Sequence, residues 1–418
     1  MPIRVGMTKE ISKKDIEIVQ STIPFLKEKG EELTQLFYRR LFKENPEVKE
    51  FFNASNQANG AQQQALAGAI CAFAQNIETP ENLAEAVSRI SNKHVSLTVQ
   101  PEHYPIVGEN LLAALNDLLN PAPPEVLQAW GAAYGYLADL MIGAEAKLYE
   151  EQKKSEGGWN GFRKMEVFRR EKEGQWITSF YLRPVDPCPI IPFRAGQYLT
   201  VRVPTLFLVD KKGDEAQTTM RNYSLSGSQD WDHYRISVKR EIPHHADIPE
   251  GYVSSYLHTR IQVGDVLEIG PPCGDFVLQE HDEETPILLL SGGVGITPLL
   301  SMLHAVGPNP TTFLHAAINS EFHALEEEVR ELAEQKPNVD VHFRYSAPTI
   351  DDLREKNCDS QGLISTEFLS DFITPNIEIY FCGPKPMMMS IMKALRELNH
   401  PAEKIHFEFF GPQEELEP

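Results

Sequence analysis

The run PILLLSGGVGITP, residues 286–298, limits the possible folds of this chain more than any other stretch. Its unbroken apolar start reads as a strand buried on both faces, the habit of a parallel sheet covered by helices. The glycines that follow open a turn where backbone can approach a phosphate, and a helix then begins whose N-terminus favours an anion. Gly292, Gly293, Val294, Gly295, Ile296 and Thr297 do not spell the dinucleotide fingerprint G-x-G-x-x-G, but the physics is shared. From about Pro286 strands alternate with helices: PILLLS, PLLSMLHAV, TTFLHAAI, ALEEEVRELAEQ, VDVHFRYS, IEIYFCG and MMMSIMKALRELN. That alternation predicts an α/β unit over residues 286–418 with a mostly parallel sheet. Ligands of such sheets bind beyond the carboxyl ends of the strands, which singles out Cys382, Gly383 and Pro384 at the end of IEIYF.

Two other textures precede it. Residues 8–154 carry apolar side chains at helical spacing almost throughout, in EELTQLFYRRLF, GAQQQALAGAICAFAQNI, ENLAEAVSRISNKHVSL, YPIVGENLLAALNDLL and PEVLQAWGAAYGYLADLMIGAEAKLYEEQKK. Pro46, Pro80, Pro101, Pro105 and the Pro121/Pro123/Pro124 cluster mark helix starts and breaks. Ser155-Glu156-Gly157-Gly158 reads as a linker. Residues 159–282 then alternate as short strands between turns, which predicts a small antiparallel barrel. The expected order is therefore an all-α domain, an antiparallel β-barrel and a parallel α/β domain.

Composition closes off several classes. The 418 residues carry a formal net charge of −21, which disfavours a nucleic-acid backbone as partner. The five cysteines, Cys71, Cys188, Cys273, Cys358 and Cys382, contain no C-x-x-C, so a thiolate metal site, a disulfide framework and covalent haem attachment are not expected. MPIRVGMTKEISKKD lacks the apolar core of a secretory signal, and Met7 is an alternative start to Met1. No apolar run approaches the ~20 residues of a membrane span. A cytoplasmic location is expected.

Chemistry-bearing residues occur in each part. Leu83, Val87, Ile90 and His94 share one helix face. A histidine there is usually a hydrogen-bonded core residue, but Tyr38 on another helix and Phe51-Phe52 after a Pro-Glu-Val-Lys turn are placed to hold a flat cofactor. In the barrel, Arg221-Asn222-Tyr223-Ser224 lies between FRAGQYLTV and the segments GYVSSYLH and VGDVLEIGPPCGDF. An always-charged planar arginine in such a frame suits a phosphate.

FY…NPEVKEFFNASNQ followed by a single histidine on a later helix resembles a globin, and KHVSL, PEHYPIVGENLL, EVLQAWGAAYGYLAD and EAKLYEE resemble the globin part of the flavohaemoglobins. The likeness continues through a ferredoxin-reductase type of flavin domain to the C-terminal Glu408-Phe409-Phe410-Gly411-Pro412. It implies one non-covalent haem b, one FAD, and NADH or NADPH. His94 would be the iron ligand, with Tyr104 and Glu145 bonded to the proximal ring. Tyr38 would act on the distal side, Phe52 would contact the haem, and Gln62 and Leu66 would line the distal wall. Arg221 would neutralise an FAD phosphate, Tyr223 and Tyr198 would cover the flavin or its ribityl chain, and Ser224 would bond the ring near its reactive nitrogen. Val253 and Ser254 would offer backbone N–H groups to the pyrophosphate, although Glu250-Gly251 stands where the family often has two glycines. Cys382-Gly383-Pro384 would lie beside the nicotinamide, Phe409 and Phe410 near the flavin, and Glu408 and Lys93 would form an electron-transfer contact.

The activity implied is NAD(P)H- and O2-dependent nitric oxide dioxygenation, with electrons passing through FAD to haem and nitric oxide leaving as nitrate. The substrates are small molecules, and a lipid or other apolar ligand in the distal pocket is a further candidate partner. Alternatives are a haem-based alkyl or lipid hydroperoxide reductase, a gas sensor, and a haem-less FAD reductase serving another oxygenase.

Overall fold

The computed structural model describes residues 11–52, 60–205, 218–242 and 250–411. Met1, Met7 and Pro412 therefore lie outside the described residues.

The first compact unit is helical. It runs α1 (Lys13–Ser21), α2 (Ile23–Glu44), a 3-10 turn (Pro46–Phe51), α3 (Ala61–Gln75), a second 3-10 turn (Pro80–Leu83), α4 (Ala84–Ser96), α5 (His103–Leu119) and α6 (Pro124–Lys154). Local chemistry sets the limits. Ser12 caps α1 by accepting from the Asp15 N–H. Pro24 occupies the first turn of α2, where its missing N–H costs nothing. Asn120 takes a left-handed conformation and ends α5. The helix expected from about Glu81 starts at Ala84, because Pro80 opens a tighter 3-10 turn before it. Leu26, Leu33, Phe37, Leu41, Phe73, Leu115 and Trp130 form the core.

The second unit, Ser155–Val203 with Arg221–Gly411, holds the second sheet whole and the first sheet except for Pro204 and Thr218–Met220. Residues 155–158 form a packed turn within it rather than slack chain. Gly157 has φ +66°, and a Cβ there would collide with the Pro189 carbonyl. Arg163 locks the turn, donating to the carbonyls of Pro189 at 2.8 Å and Gly157 at 3.3 Å.

The first sheet contains β1 (Arg163–Glu173), β2 (Ile177–Pro184), β3 (Tyr198–Pro204), β4 (Thr218–Ser224), β5 (Tyr234–Lys239) and β6 (Val266–Ile269), with α7 (Tyr252–Arg260) between the last two. Its order is β4-β3-β6-β1-β2-β5. The β1–β2, β1–β6, β2–β5 and β3–β6 pairs are antiparallel. Leu182, Val201, Ile236, Val238 and Leu267 fill the interior with Val253 and Leu257 of α7.

The second sheet comprises β7 (Ile287–Gly292), β8 (Thr311–Ala317), β9 (Val339–Tyr345), β10 (Ser360–Gln361), β11 (Glu378–Cys382) and β12 (Ile405–Glu408). Between them lie α8 (Ile296–Ala305), α9 (Glu326–Gln335), α10 (Ile350–Glu355), α11 (Thr366–Ser370) and α12 (Lys385–Glu397). The order is β10-β9-β8-β7-β11-β12 and every pair is parallel. All six residues of β7 are buried, since both faces carry a core. The polar-looking IHFE segment forms the edge strand β12, a short extended piece that sequence patterning did not resolve from a tail. Among the described residues no helix is long and apolar enough to cross a membrane.

Candidate functional site

Three helices converge on His94. It sits in the last turn of α4, which Thr98, with φ +63°, brings to an end. Its Nδ1 lies 2.7 Å from Glu145 Oε1 of α6 and 3.1 Å from the Tyr104 hydroxyl of α5. Tyr104 also donates to the same carboxylate oxygen at 2.5 Å. Glu145 is 2% exposed, so a carboxylate enclosed this far must be satisfied by partners, and these two satisfy it. Burial, with Glu145 beside it, pushes the Tyr104 phenol far above its ordinary pKa and keeps it a proton donor. A carboxylate at Nδ1 places the ring proton there and leaves the Nε2 lone pair as the metal-binding one. Among the described residues Nε2 makes no hydrogen bond, and no three His, Cys, Asp or Glu side chains gather into a metal site of their own.

Supporting contacts went unread in the sequence. Tyr134 donates to the Tyr104 carbonyl at 2.7 Å, and its ring occupies the space a Cβ on Gly108 would need. Tyr149 donates to the Val99 carbonyl at 2.7 Å, fixing the chain just beyond α4. Val87 and Ile90 pack with Tyr104, Ala138 and Met141, as their shared face with His94 implied.

Tyr38 is buried in an aromatic group with Phe42, 5.7 Å between ring centroids, and Phe52, 5.6 Å. Phe42 was missed; its signal was the four-residue spacing from Tyr38 on α2. Leu66 packs on the same core, and Gln62, also half-buried, lies one turn before it on α3. Lys93 is exposed on α4 and Glu408 ends β12, so the two belong to different units.

On β4, Arg221, Asn222 and Tyr223 are half-buried and Ser224 is buried. Burial lowers the Arg221 pKa from its ordinary value. Tyr223 is pushed upward, again by burial. Asn222 accepts from Thr200 at 3.2 Å. Tyr198 bridges to Cys273, and its ring lies against Gly274, whose φ is +116°. Among the described residues the buried Ser224 Oγ has no hydrogen-bond partner, and a buried hydroxyl is ordinarily satisfied by one. Val253 and Ser254 occupy the first turn of α7, as expected. The Ser254 hydroxyl is turned inward, donating to the Gly251 carbonyl and accepting from the Glu241 N–H.

The glycine turn is built by close approach. Gly293 has φ +51°. A Cβ on Gly295 would strike the Cys382 carbonyl, and one on Gly292 the Met387 sulfur. Thr297 donates to the Val294 carbonyl at 3.0 Å, and Ile296 is fully buried behind it. Register pairs Ser291 with Cys382 and Cys382 with Glu408, so these three line the carboxyl edge, and Gly383 and Pro384 continue from it into α12. Burial raises the Cys382 thiol well above its usual range, which makes it inert as a thiolate nucleophile. Phe409 packs on the second core, whereas Phe410 is 45% exposed and Gly411 is exposed.

These residues fit the groups that sequence pointed to. The His94 ring has the correct nitrogen left over for iron. A half-buried arginine, Arg221, and a buried hydroxyl, Ser224, without a partner among the described residues, are chemically suited to a flavin's phosphate and ring edge. The Gly292–Thr297 turn leads into the start of α8, where a helix N-terminus would favour a pyrophosphate.

Comparison with known proteins agrees. Residues 35–141 match the family model described as Globin, 165–278 the Oxidoreductase FAD-binding domain, and 289–393 the Oxidoreductase NAD-binding domain. Fold and site together define an oxidoreductase in which a globin is joined to a flavin- and nicotinamide-binding reductase. The chain belongs to the flavohemoprotein family. It is 45% identical to the flavohemoprotein of Rhodopirellula baltica, covering 97% of this chain and 99% of that one. It is 46% identical to that of Bacillus cereus, covering 97% and 100%. The flavohemoglobin of Malassezia yamatoensis, solved with bound FAD and heme, superposes with a TM-score of 0.82 at 28% identity, covering 96% of this chain and 100% of that one. The Flavohem-like FAD/NAD binding domain of nitric oxide dioxygenase from Vibrio cholerae aligns with a TM-score of 0.51 at 31% identity, covering 60% of this chain and 99% of that one. The cofactors are haem, FAD and a nicotinamide dinucleotide.

Proposed function

We propose that this chain is a nitric oxide dioxygenase, using NAD(P)H to combine nitric oxide with dioxygen as nitrate. The observation that carries the reading is the Glu145–His94–Tyr104 group, because a buried carboxylate on the far nitrogen of a ligating imidazole favours oxygen activation over storage. Haem supplies the one-electron iron centre, and FAD the conversion from paired nicotinamide electrons to single ones.

The chain's own residues divide the remaining work. His94 holds iron through Nε2, while Glu145 fixes the ring's tautomer and makes it a stronger donor. Tyr104 shares that carboxylate and keeps it oriented. Tyr38 presents a hydroxyl from an otherwise apolar distal wall of Phe52 and Leu66, with Gln62 adding a polar edge. Arg221 and the first turn of α7, Val253 and Ser254, take the FAD phosphates, while Tyr198 and Tyr223 cover the ring system and Ser224 Oγ bonds its edge. The Gly292–Thr297 turn takes the pyrophosphate of the nicotinamide nucleotide, and Cys382, Gly383 and Pro384 border its reactive end. We assign residues 8–154, 159–282 and 286–418 to the three parts. None of the five cysteines is joined in a disulfide, in keeping with a reducing cytoplasm.

Aerobic turnover of the purified holoprotein tests the proposal. NADH-dependent loss of nitric oxide with stoichiometric nitrate is expected. NADH and dioxygen consumed while nitric oxide persists would overturn it, and peroxide turnover in the same assay measures the rival activity directly.

A further inference from the structure

Arg235, on β5, is 2% exposed, and Glu328 of α9 meets its charge with two bonds, Nη1 to Oε2 at 2.6 Å and Nη2 to Oε1 at 3.0 Å. His304, in the last turn of α8, reaches the same carboxylate, with Nε2 2.6 Å from Oε1. The guanidinium also donates to the Ser226 carbonyl and, at 3.1 Å, to the Ser226 hydroxyl, and it lies over the Trp231 ring. One residue further, the Gly227 carbonyl accepts from Ser301 Oγ of α8 at 2.9 Å. A Cβ on Gly227 would collide with Trp231, so this backbone has one place to lie.

Ser226 and Gly227 come just after Arg221–Ser224, and α8 begins at the end of the Gly292–Thr297 turn. The flavin-type strand and the nucleotide-type turn are thus fastened to each other through Glu328 and Ser301. Such an ion pair is a poor source of stability, because removing both charges from water costs as much as their attraction returns. What two parallel bonds to a planar guanidinium do fix is angle and register. Burial alone would raise the Glu328 pKa, but hydrogen bonds from His304 and Arg235 hold it below its ordinary value, so the carboxylate is charged.

We propose that Glu328 is a positioning residue for electron transfer from nicotinamide to flavin: with Arg235 and His304 it sets how closely the nucleotide turn approaches the flavin-bearing strand. The inference rests on the flavin and nucleotide assignments made above. In the transfer the dihydronicotinamide gives two electrons and one hydrogen to the flavin and leaves as the pyridinium; Glu328 makes and breaks no bond. Reactions of this kind lose about a hundredfold for a misplacement of about 1 Å.

The test is anaerobic stopped-flow reduction of FAD in full-length holoprotein, with NADH and with NADH deuterated at the transferred position. In Glu328→Gln, FAD content and NADH affinity hold, flavin reduction slows by about ten- to a hundredfold, and the isotope effect rises. Glu328→Asp, which keeps the charge, recovers part of the rate. Ser301→Ala moves rate and isotope effect the same way by less, and decides the matter if Glu328→Gln does not fold. Wild-type rates and isotope effects in the folded variants, or slowing accounted for by lost FAD alone, overturn the proposal. A wild-type protein whose flavin NADH fails to bleach overturns the underlying assignments as well.

Discussion

Glu145→Gln keeps an acceptor at His94 Nδ1 and removes only the charge. The carboxylate is enclosed, 2.7 Å from Nδ1 and 2.5 Å from the Tyr104 hydroxyl. In such a place a charged acceptor exceeds a neutral one by about 1 kcal/mol. That increment favours the more positive, ferric state of a bound haem, so losing it raises the one-electron potential by about 40 mV, taking ~59 mV for each factor of ten. Tyr104→Phe has the opposite sign. It removes a donor that draws charge from the carboxylate, leaves more of that charge on Nδ1, and lowers the potential by a similar or smaller amount. Spectroelectrochemical titration of the haem band, in proteins of matched haem content, measures both. Equal potentials in all three proteins, or shifts of the same sign in the two variants, would falsify the account of the proximal group.

Other expectations follow from single residues. Ser224→Ala removes a hydroxyl with no partner among the described residues, so the FAD-free protein melts within about 1 kcal/mol of wild type while flavin reduction by NADH slows about tenfold or more; a large loss of FAD-free stability would show that the hydroxyl serves the fold. Gly295→Ala forces a Cβ against the Cys382 carbonyl and costs about 1–3 kcal/mol, read as a lower melting temperature together with weaker NADH binding. His315 and His323 stack at 4.6 Å inside the nucleotide-binding part. Burial depresses both, His315 to about 3 and His323 well below its ordinary value, with His315 adding repulsion. Each is neutral when folded and takes up a proton on unfolding below its ordinary value of about 6.5. Their contribution is complete above that pH and falls at about 1.4 kcal/mol per pH unit per group as acid is added, down to about pH 3 for His315. Denaturant unfolding of His315→Asn against wild type across that range should show a shallower slope in the variant.

Much of this was legible because the signals were local. Uniform burial of β7 followed from an apolar run without alternation, and the helix face shared by Val87, Ile90 and His94 followed from periodicity. The convergence of Tyr104 and Glu145 on His94 could not be read from spacing, since three helices must pack before those side chains meet; only likeness to a family supplied it. Arg235 and Glu328 carried no signal at all, because a lone arginine on a strand and a glutamate in the acidic helix EEEVRELAEQ look like ordinary surface charges. The glycine turn was read as a phosphate cradle, yet Gly292 and Gly295 are required first by Met387 and Cys382 pressing against them. Sequence shows that a backbone must come close there; it does not show to what.

That crowding fixes when the nucleotide seat can exist. Its two walls are far apart along the chain and meet backbone to backbone at Gly295 and Cys382, so the seat is complete only with β11 beside β7. A chain truncated ahead of Tyr380 would keep the glycine-rich loop in full and lack the Cys382 wall pressed against it, so under the assignment proposed above it would not bind the coenzyme.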